Sequence, residues 1–200
     1  MALKHFVKVG GVNNLSDARY CAGMEVNLLG FDFNPASNNY TSPEKFKEIA
    51  EWISGVQFVG EFHDLSSEQI KNELDKYTVE YIEISNVDAL DDIAEMHDNI
   101  ILTVDIHRLA TIPQGLPVQY IAIAGNEMEL NDELKLQIRE VTSQYKVLLG
   151  VGVTSENVES IISDTGSYGV DLQGGNEIRP GYKDYDELAD VLEVLEDDDF

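Results

Sequence analysis

A single cysteine, Cys21, is all the thiol chemistry this chain has, so an internal disulfide is excluded and a reducing compartment is expected. Basic residues are also scarce. Thirteen Lys and Arg stand against 38 Asp and Glu, a formal net charge of −25 at pH 7. Such a surface repels phosphate backbones and anionic headgroups, so neither nucleic acid nor membrane is expected as a partner. Long apolar runs are missing too. The opening MALKHFVKVGG carries no signal-peptide core and no stretch of membrane-spanning length, and a cytoplasmic protein is expected. No linker, low-complexity block or shift in composition divides the chain. One domain over 1–200 follows, with a short acidic tail at 196–200 read as a solvated end.

What is present is alternation. Short apolar runs fall near Phe6–Gly10, Leu28–Asn34, Gln57–Phe62, Tyr81–Ser85, Ile100–Ile106, Tyr120–Ala124, Val147–Val151 and Gly169–Leu172. Amphipathic segments lie between them at Leu15–Ala22, Pro43–Ser54, Ser66–Tyr77, Val87–Met96, Glu129–Tyr145, Ser155–Ser163 and Tyr185–Glu196. Ser42 before Pro43, and Ser66 with Gln69 three residues on, supply helix starts. Between the fifth and sixth runs, Pro113, Gly115 and Pro117 break any helix. Repeating strand–helix units imply a parallel sheet with right-handed crossovers. Eight of them close most naturally into an α/β fold of the (β/α)8 TIM-barrel type, with helix 5 replaced by a loop; an open doubly wound sheet is the alternative.

In such a barrel the chemistry sits at the C-terminal ends of the strands, and alternate residues face inward. Placing the greasy residues on the helix side leaves Lys8, Gly10, Gly30, Asp32, Asn34, Glu61, His63, Glu83, Ser85, Thr103, Asp105, His107, Asp171 and Gln173 inside. Buried carboxylates in such number must be paired, protonated or bound to a cation. Asp32, Glu61, Glu83 and Asp105 are therefore the candidates for acid–base work. His63, Asp105 and His107 are the candidate ligands should a divalent metal bind, with placement at the solvated rim as the alternative. Gly174 and Gly175, directly after the last strand, let backbone N–H groups approach an anion, as does Gly152 after the seventh; a βα turn that simply needs glycine explains them equally. Gln173 adds a side-chain donor.

The order Lys8-Val9-Gly10-Gly11, Ser16-Asp17-Ala18, Gly30-Phe31-Asp32-Phe33-Asn34-Pro35 through Tyr40-Thr41-Ser42-Pro43, Val59-Gly60-Glu61-Phe62-His63, Val151 through Val158 and Val170 through Asp184 resembles the phosphoribosylanthranilate isomerase family nearly end to end. That resemblance implies a TIM barrel and the Amadori rearrangement of a phosphorylated aminosugar in tryptophan biosynthesis. It further implies a phosphorylated small-molecule ligand held by Gly152, Gln173, Gly174 and Gly175, no cofactor, and a monomer or homodimer. The family's general base is the cysteine of K-I-C-G, a position held here by Gly10. Its general acid is the aspartate ending strand six, aligned with Ala124, and its substrate-holding arginine aligns with Asn39. These replacements are expected to abolish efficient turnover by the family's own groups. Asp32, Glu61 or Asp105 would then have to act instead; the alternatives are a different, possibly metal-dependent isomerase or lyase on a sugar phosphate, or a non-catalytic binding or scaffold paralogue.

Overall fold

The computed structural model describes residues 2–174, 177–179, 182–183 and 186–197. Eight strands, β1 (Phe6–Gly10), β2 (Leu28–Asp32), β3 (Gln57–His63), β4 (Tyr81–Ile84), β5 (Ile100–Asp105), β6 (Tyr120–Ala124), β7 (Val147–Leu149) and β8 (Gly169–Gln173), close in sequence order into one barrel. Every neighbouring pair is parallel, and β8 returns to β1 with Lys8 opposite Asp171 and Gly10 opposite Gln173. The fold is a single (β/α)8 barrel, not an open sheet.

The crossovers are α1 (Leu15–Gly23), α2 (Pro43–Ala50), α3 (Ser67–Leu74), α4 (Leu90–Ala94), α5 (Asp132–Thr142), α6 (Val158–Thr165) and α7 (Asp186–Leu195). Their starts follow the local chemistry. Ser42 and Ser66 accept backbone N–H bonds from Lys45 and Gln69, and Gln69 reciprocates to complete a capping box. Helices α2, α3 and α5 end three or four residues before their apolar pattern does, while α1 and α6 run slightly past it. Between β5 and β6 a 3₁₀ turn, Ile106–Thr111, takes the place of a helix. The stretch after β8, expected as a polar turn, contains two short antiparallel strands, β9 (Glu177–Arg179) and β10 (Tyr182–Lys183). At the other end, Glu196 bridges Leu3 and the Asp197 N–H donates to the Ala2 carbonyl, so the start of the acidic tail is tied to the N-terminus. Among the described residues no helix is long and apolar enough to cross a membrane.

Strand alternation divides the apolar residues into two sets. Val7, Val9, Leu29, Phe31, Phe62, Ile82, Ile84, Ile121 and Val170 pack outward against the helices. Leu28, Val59, Tyr81, Ile101, Tyr120, Ala122 and Leu148, with Phe6, fill the lower barrel interior. That interior is apolar only in its lower part. Above it, toward the C-terminal ends, the same inward parity delivers Lys8, Glu61, Glu83 and Asp171, all buried.

The β8–β1 seam is the tightest point of the closure. A Cβ built on Gly169 would lie 2.7 Å from the Phe6 carbonyl carbon, a backbone atom that cannot swing away. Gly169→Ala is therefore expected to cost about 3 kcal/mol or more, whereas Gly23→Ala, with open space around it, is expected to be neutral or stabilising. Urea midpoints of the two variants measure the contrast, and equal midpoints would contradict the closure geometry.

Candidate functional site

The site is built from strand register. Lys8 is level with Asp171 across the β1–β8 seam, while Asp32, Glu61 and Glu83 stand side by side on β2, β3 and β4. The wholly buried Lys8 ammonium donates to Asp171 Oδ1 at 2.8 Å and to Glu61 Oε1 at 3.1 Å. Glu83 Oε2 lies 2.8 Å from the same nitrogen as an ion pair, and Glu83 Oε1 accepts from the Thr103 hydroxyl at 2.8 Å. The second oxygen of Glu61 accepts the Gly11 N–H at 3.0 Å.

One ammonium faces three carboxylates, and the imbalance sets their protonation. Burial alone would pull the Lys8 ammonium down, but Asp171, Glu83 and Glu61 together hold it well above its ordinary range. Burial pushes the Asp171 carboxyl up to about 7, with Lys8 opposing and Glu83 reinforcing the rise. Glu61 is raised by the same burial, again against Lys8 and with Glu83. Asp171, beneath the barrel mouth, therefore titrates near neutral pH.

Glu61 also explains two glycines. A Cβ on Gly10 would come within 2.6 Å of Glu61 Oε1 and 2.6 Å of the Gln173 amide nitrogen. A Cβ on Gly30 would fall on the same carboxylate oxygen, 2.6 Å from its Cδ. The Glu61 carboxylate thus fills the space that side chains at positions 10 and 30 would occupy.

The other candidate residues are dispersed around the rim. Asp32, buried, pairs with the half-exposed His63, Oδ2 to Nε2 at 3.4 Å. His107 lies on the 3₁₀ turn and pairs with Glu127 at 2.5 Å. Asp105, at the exposed end of β5, accepts the His107 N–H at 2.9 Å and so caps that turn. It stands in register with Ala124, and both line a cleft of about 590 Å³ with Thr103, Arg108 and Asp64. His63, Asp105 and His107 are thus engaged in three separate arrangements. Among the described residues no group of three or more His, Cys, Asp or Glu side chains could hold a metal ion.

Of the glycines proposed for an anion, Gly152 takes φ +67° after β7, and its carbonyl accepts from the Asn157 amide. The Gly174 N–H reaches the Gly10 carbonyl at 3.3 Å, and Gln173 is exposed at the end of β8. Gly175 lies outside the described residues.

A network that sequence reasoning missed closes the β1–β2 side of the mouth. Asn13 donates to Asn39 at 2.5 Å, Asn39 donates to the Gly11 carbonyl, and Asn14 caps α1 while donating to Asp17. The Asn13-Asn14 pair ahead of Leu15 was the available signal. Cys21 is buried within α1, away from the strand ends.

The profile of the N-(5'-phosphoribosyl)anthranilate (PRA) isomerase family matches residues 7–194. The chain belongs to this family. Among relatives, the N-(5'-phosphoribosyl)anthranilate isomerase of Sulfurihydrogenibium sp. is 25% identical over 202 residues, covering 94% of this chain and 98% of its own. That of Aquifex aeolicus is 26% identical over 200 residues, with 93% and 96% covered. In three dimensions the chain is similar to TrpF from Jonesia denitrificans, with TM-score 0.77, 16% identity and 96% of each chain covered. It is likewise similar to the isomerase from Thermotoga maritima, with TM-score 0.75, 23% identity, and 96% and 98% covered. Another family structure, with TM-score 0.74, 24% identity, and 96% and 98% covered, is a complex with reduced 1-(o-carboxyphenylamino)-1-deoxyribulose 5-phosphate. The Thermotoga maritima isomerase is described as dimeric.

The raised Asp171 carboxyl makes a signed prediction. A carboxyl whose folded pKa is about 7, against an ordinary 3.8, stabilises the fold fully only below about pH 4 and loses that contribution as pH rises through 7. Asp171→Asn removes this titration. The stability of wild type relative to the variant should therefore be larger at pH 5 than at pH 8, read from urea midpoints. A difference that stays constant with pH would show that Asp171 is ionised throughout.

Proposed function

We propose that this chain is an isomerase of the PRA isomerase family, acting on a phosphorylated small molecule, in which proton abstraction has passed to Glu61. The observation that carries the reading is steric and chemical at once. The family's base position is Gly10, which has no side chain to move a proton, and the Glu61 carboxylate occupies the space a side chain there would fill. Burial, opposed by Lys8, holds Glu61 above the ordinary glutamate range, which makes its carboxylate a stronger base than an exposed glutamate. The family's acid position is Ala124, so neither of the family's own proton-transfer groups is present and turnover should be slow by the family's standard.

Gly152, Gln173 and Gly174, together with Gly175, are proposed to receive the phosphate at the ends of β7 and β8. Backbone N–H dipoles act at short range there, where a screened net charge of −25 counts for less. One observation favours a second reading, in which the barrel binds such a ligand without turning it over. Both oxygens of Glu61 already have partners, Lys8 and the Gly11 N–H, so the residue is also accounted for as a counter-ion.

Purified protein assayed on phosphoribosylanthranilate separates the two. The isomerase reading expects measurable turnover that Glu61→Gln lowers by about 10²-fold or more. No turnover by wild type selects the binding protein, and undiminished turnover in the variant removes Glu61 as base. For the anion site, ribose 5-phosphate should raise the Tm of wild type but not of Gly174→Asp. An equal rise in both would place the phosphate elsewhere.

A further inference from the structure

The end of β3 is irregular. Pairing with β4 shifts register between Glu61 and His63, and His63 sits at φ +52°. A histidine in the left-handed region stores about 1 kcal/mol or more of strain. The other described non-glycine residue in that region, Glu25, lies just past the end of α1, where helices commonly finish in this conformation. His63 has no helix to finish.

The irregularity places an imidazole against a carboxylate. His63 Nε2 lies 3.4 Å from Asp32 Oδ2, with the imidazole half exposed at the mouth and the carboxylate buried behind it. Asp32 is itself fixed, since its Oδ1 accepts the Asn34 N–H at 2.9 Å and its carboxylate also takes the Ser37 hydroxyl. A fixed, buried carboxylate behind a more exposed imidazole sets ring orientation and stabilises the imidazolium. Glu61 precedes His63 by two residues on the same strand.

We propose that His63 is the general acid of this barrel, with Asp32 as its positioning residue, acting on a ring-form phosphorylated aminoaldose; the proposal rests on the isomerase reading above. In ring opening the imidazolium gives its proton to the ring oxygen as the C1–O bond breaks, and the substrate nitrogen's lone pair forms C1=N. Glu61 then takes the C2 proton. The C2–H electron pair becomes C1=C2, and the C=N pair returns to nitrogen. When the enol becomes the C2 ketone, its hydroxyl proton returns to the imidazole and the Glu61 proton goes to C1. Both groups end in their starting states.

The charges around the ring are acidic on every side: Asp32 from β2, Glu61 on β3 and Glu83 from β4, with the Lys8 ammonium behind the glutamates. The bond to Asp32 holds the imidazole above its ordinary 6.5 against the opposing effect of burial, with Glu61 and Glu83 assisting. The imidazolium therefore persists to higher pH than that of an exposed histidine, and activity should fall on the alkaline side as it loses its proton.

The test measures kcat and kcat/KM on phosphoribosylanthranilate across pH. Asparagine and glycine tolerate φ > 0, so His63→Asn and His63→Gly keep the backbone geometry. His63→Asn should lose about 10²–10⁴ in kcat, and added imidazole should restore part of that loss to His63→Gly. Asp32→Asn should move the alkaline limb of the profile to lower pH, because it removes the charge that raises the imidazole. Wild-type kcat in His63→Asn, failure of imidazole to rescue, or an alkaline limb lost in Asp105→Asn but kept in His63→Asn would each overturn the assignment. Loss in Glu61→Gln with none in His63→Asn would leave the isomerase reading standing without it. Loss in His63→Asn with none in Glu61→Gln would do the reverse, and an inactive wild type would remove both.

Discussion

The buried ammonium of Lys8 is the interaction on which the upper barrel depends. A charge with no exposure to water must be matched by opposite charge within a few ångströms, since the desolvation cost is otherwise several kcal/mol. Strand register makes the match possible, because the inward positions of β3, β4 and β8 converge on β1 at that level. Three carboxylates answer one ammonium, and burial raises Asp171 and Glu61 above their ordinary range. A barrel interior usually completed by apolar layers is here finished by an ionic one.

That ionic layer shapes the mouth above it. Once Glu61 reaches inward to Lys8, its carboxylate takes the volume over Gly10 and Gly30, and a Cβ at either position would have to displace it. The Gly11 N–H closes on its second oxygen. A side chain at position 10 and the inward carboxylate of Glu61, two strands away, thus compete for one space. The rim beyond it has a different logic. Asp105 is spent on capping the 3₁₀ turn and His107 on Glu127, while only the Asp32–His63 pair sets a titratable ring against a fixed partner beside Glu61.

Much of the fold was legible because it rests on periodicity. Phe31, Phe62, Ile82 and Ile84 fixed which face of each strand met the helices, and the inward residues followed by alternation. Strand bounds came out within two residues, and α2, α3 and α5 came out too long, since amphipathic patterning continues past their ends. Function was less legible where it depends on hydrogen bonds between distant segments. Asp105 has the right parity for the interior, yet its carboxylate turns to the backbone two residues on, as aspartates do in turns. The register shift at His63 leaves no trace in hydropathy, so a residue read as a possible metal ligand emerges as the partner of Asp32. The β9–β10 pair is missed for a simpler reason: strands of three and two residues carry no period to read.

The coupling between positions 10 and 61 also constrains how such a barrel could arise. A cysteine at position 10 and a glutamate pointing inward at position 61 compete for one volume, and the clash is with a carboxylate held by an ammonium and a backbone N–H, not with a free side-chain end. Side chains in direct contact do not contribute additively, so neither substitution can be judged against the other's absence. Glycine at position 10 leaves the space to Glu61 without adding a charge, and Glu61 closes on Lys8. The chemistry available at the mouth follows from the ion pair beneath it.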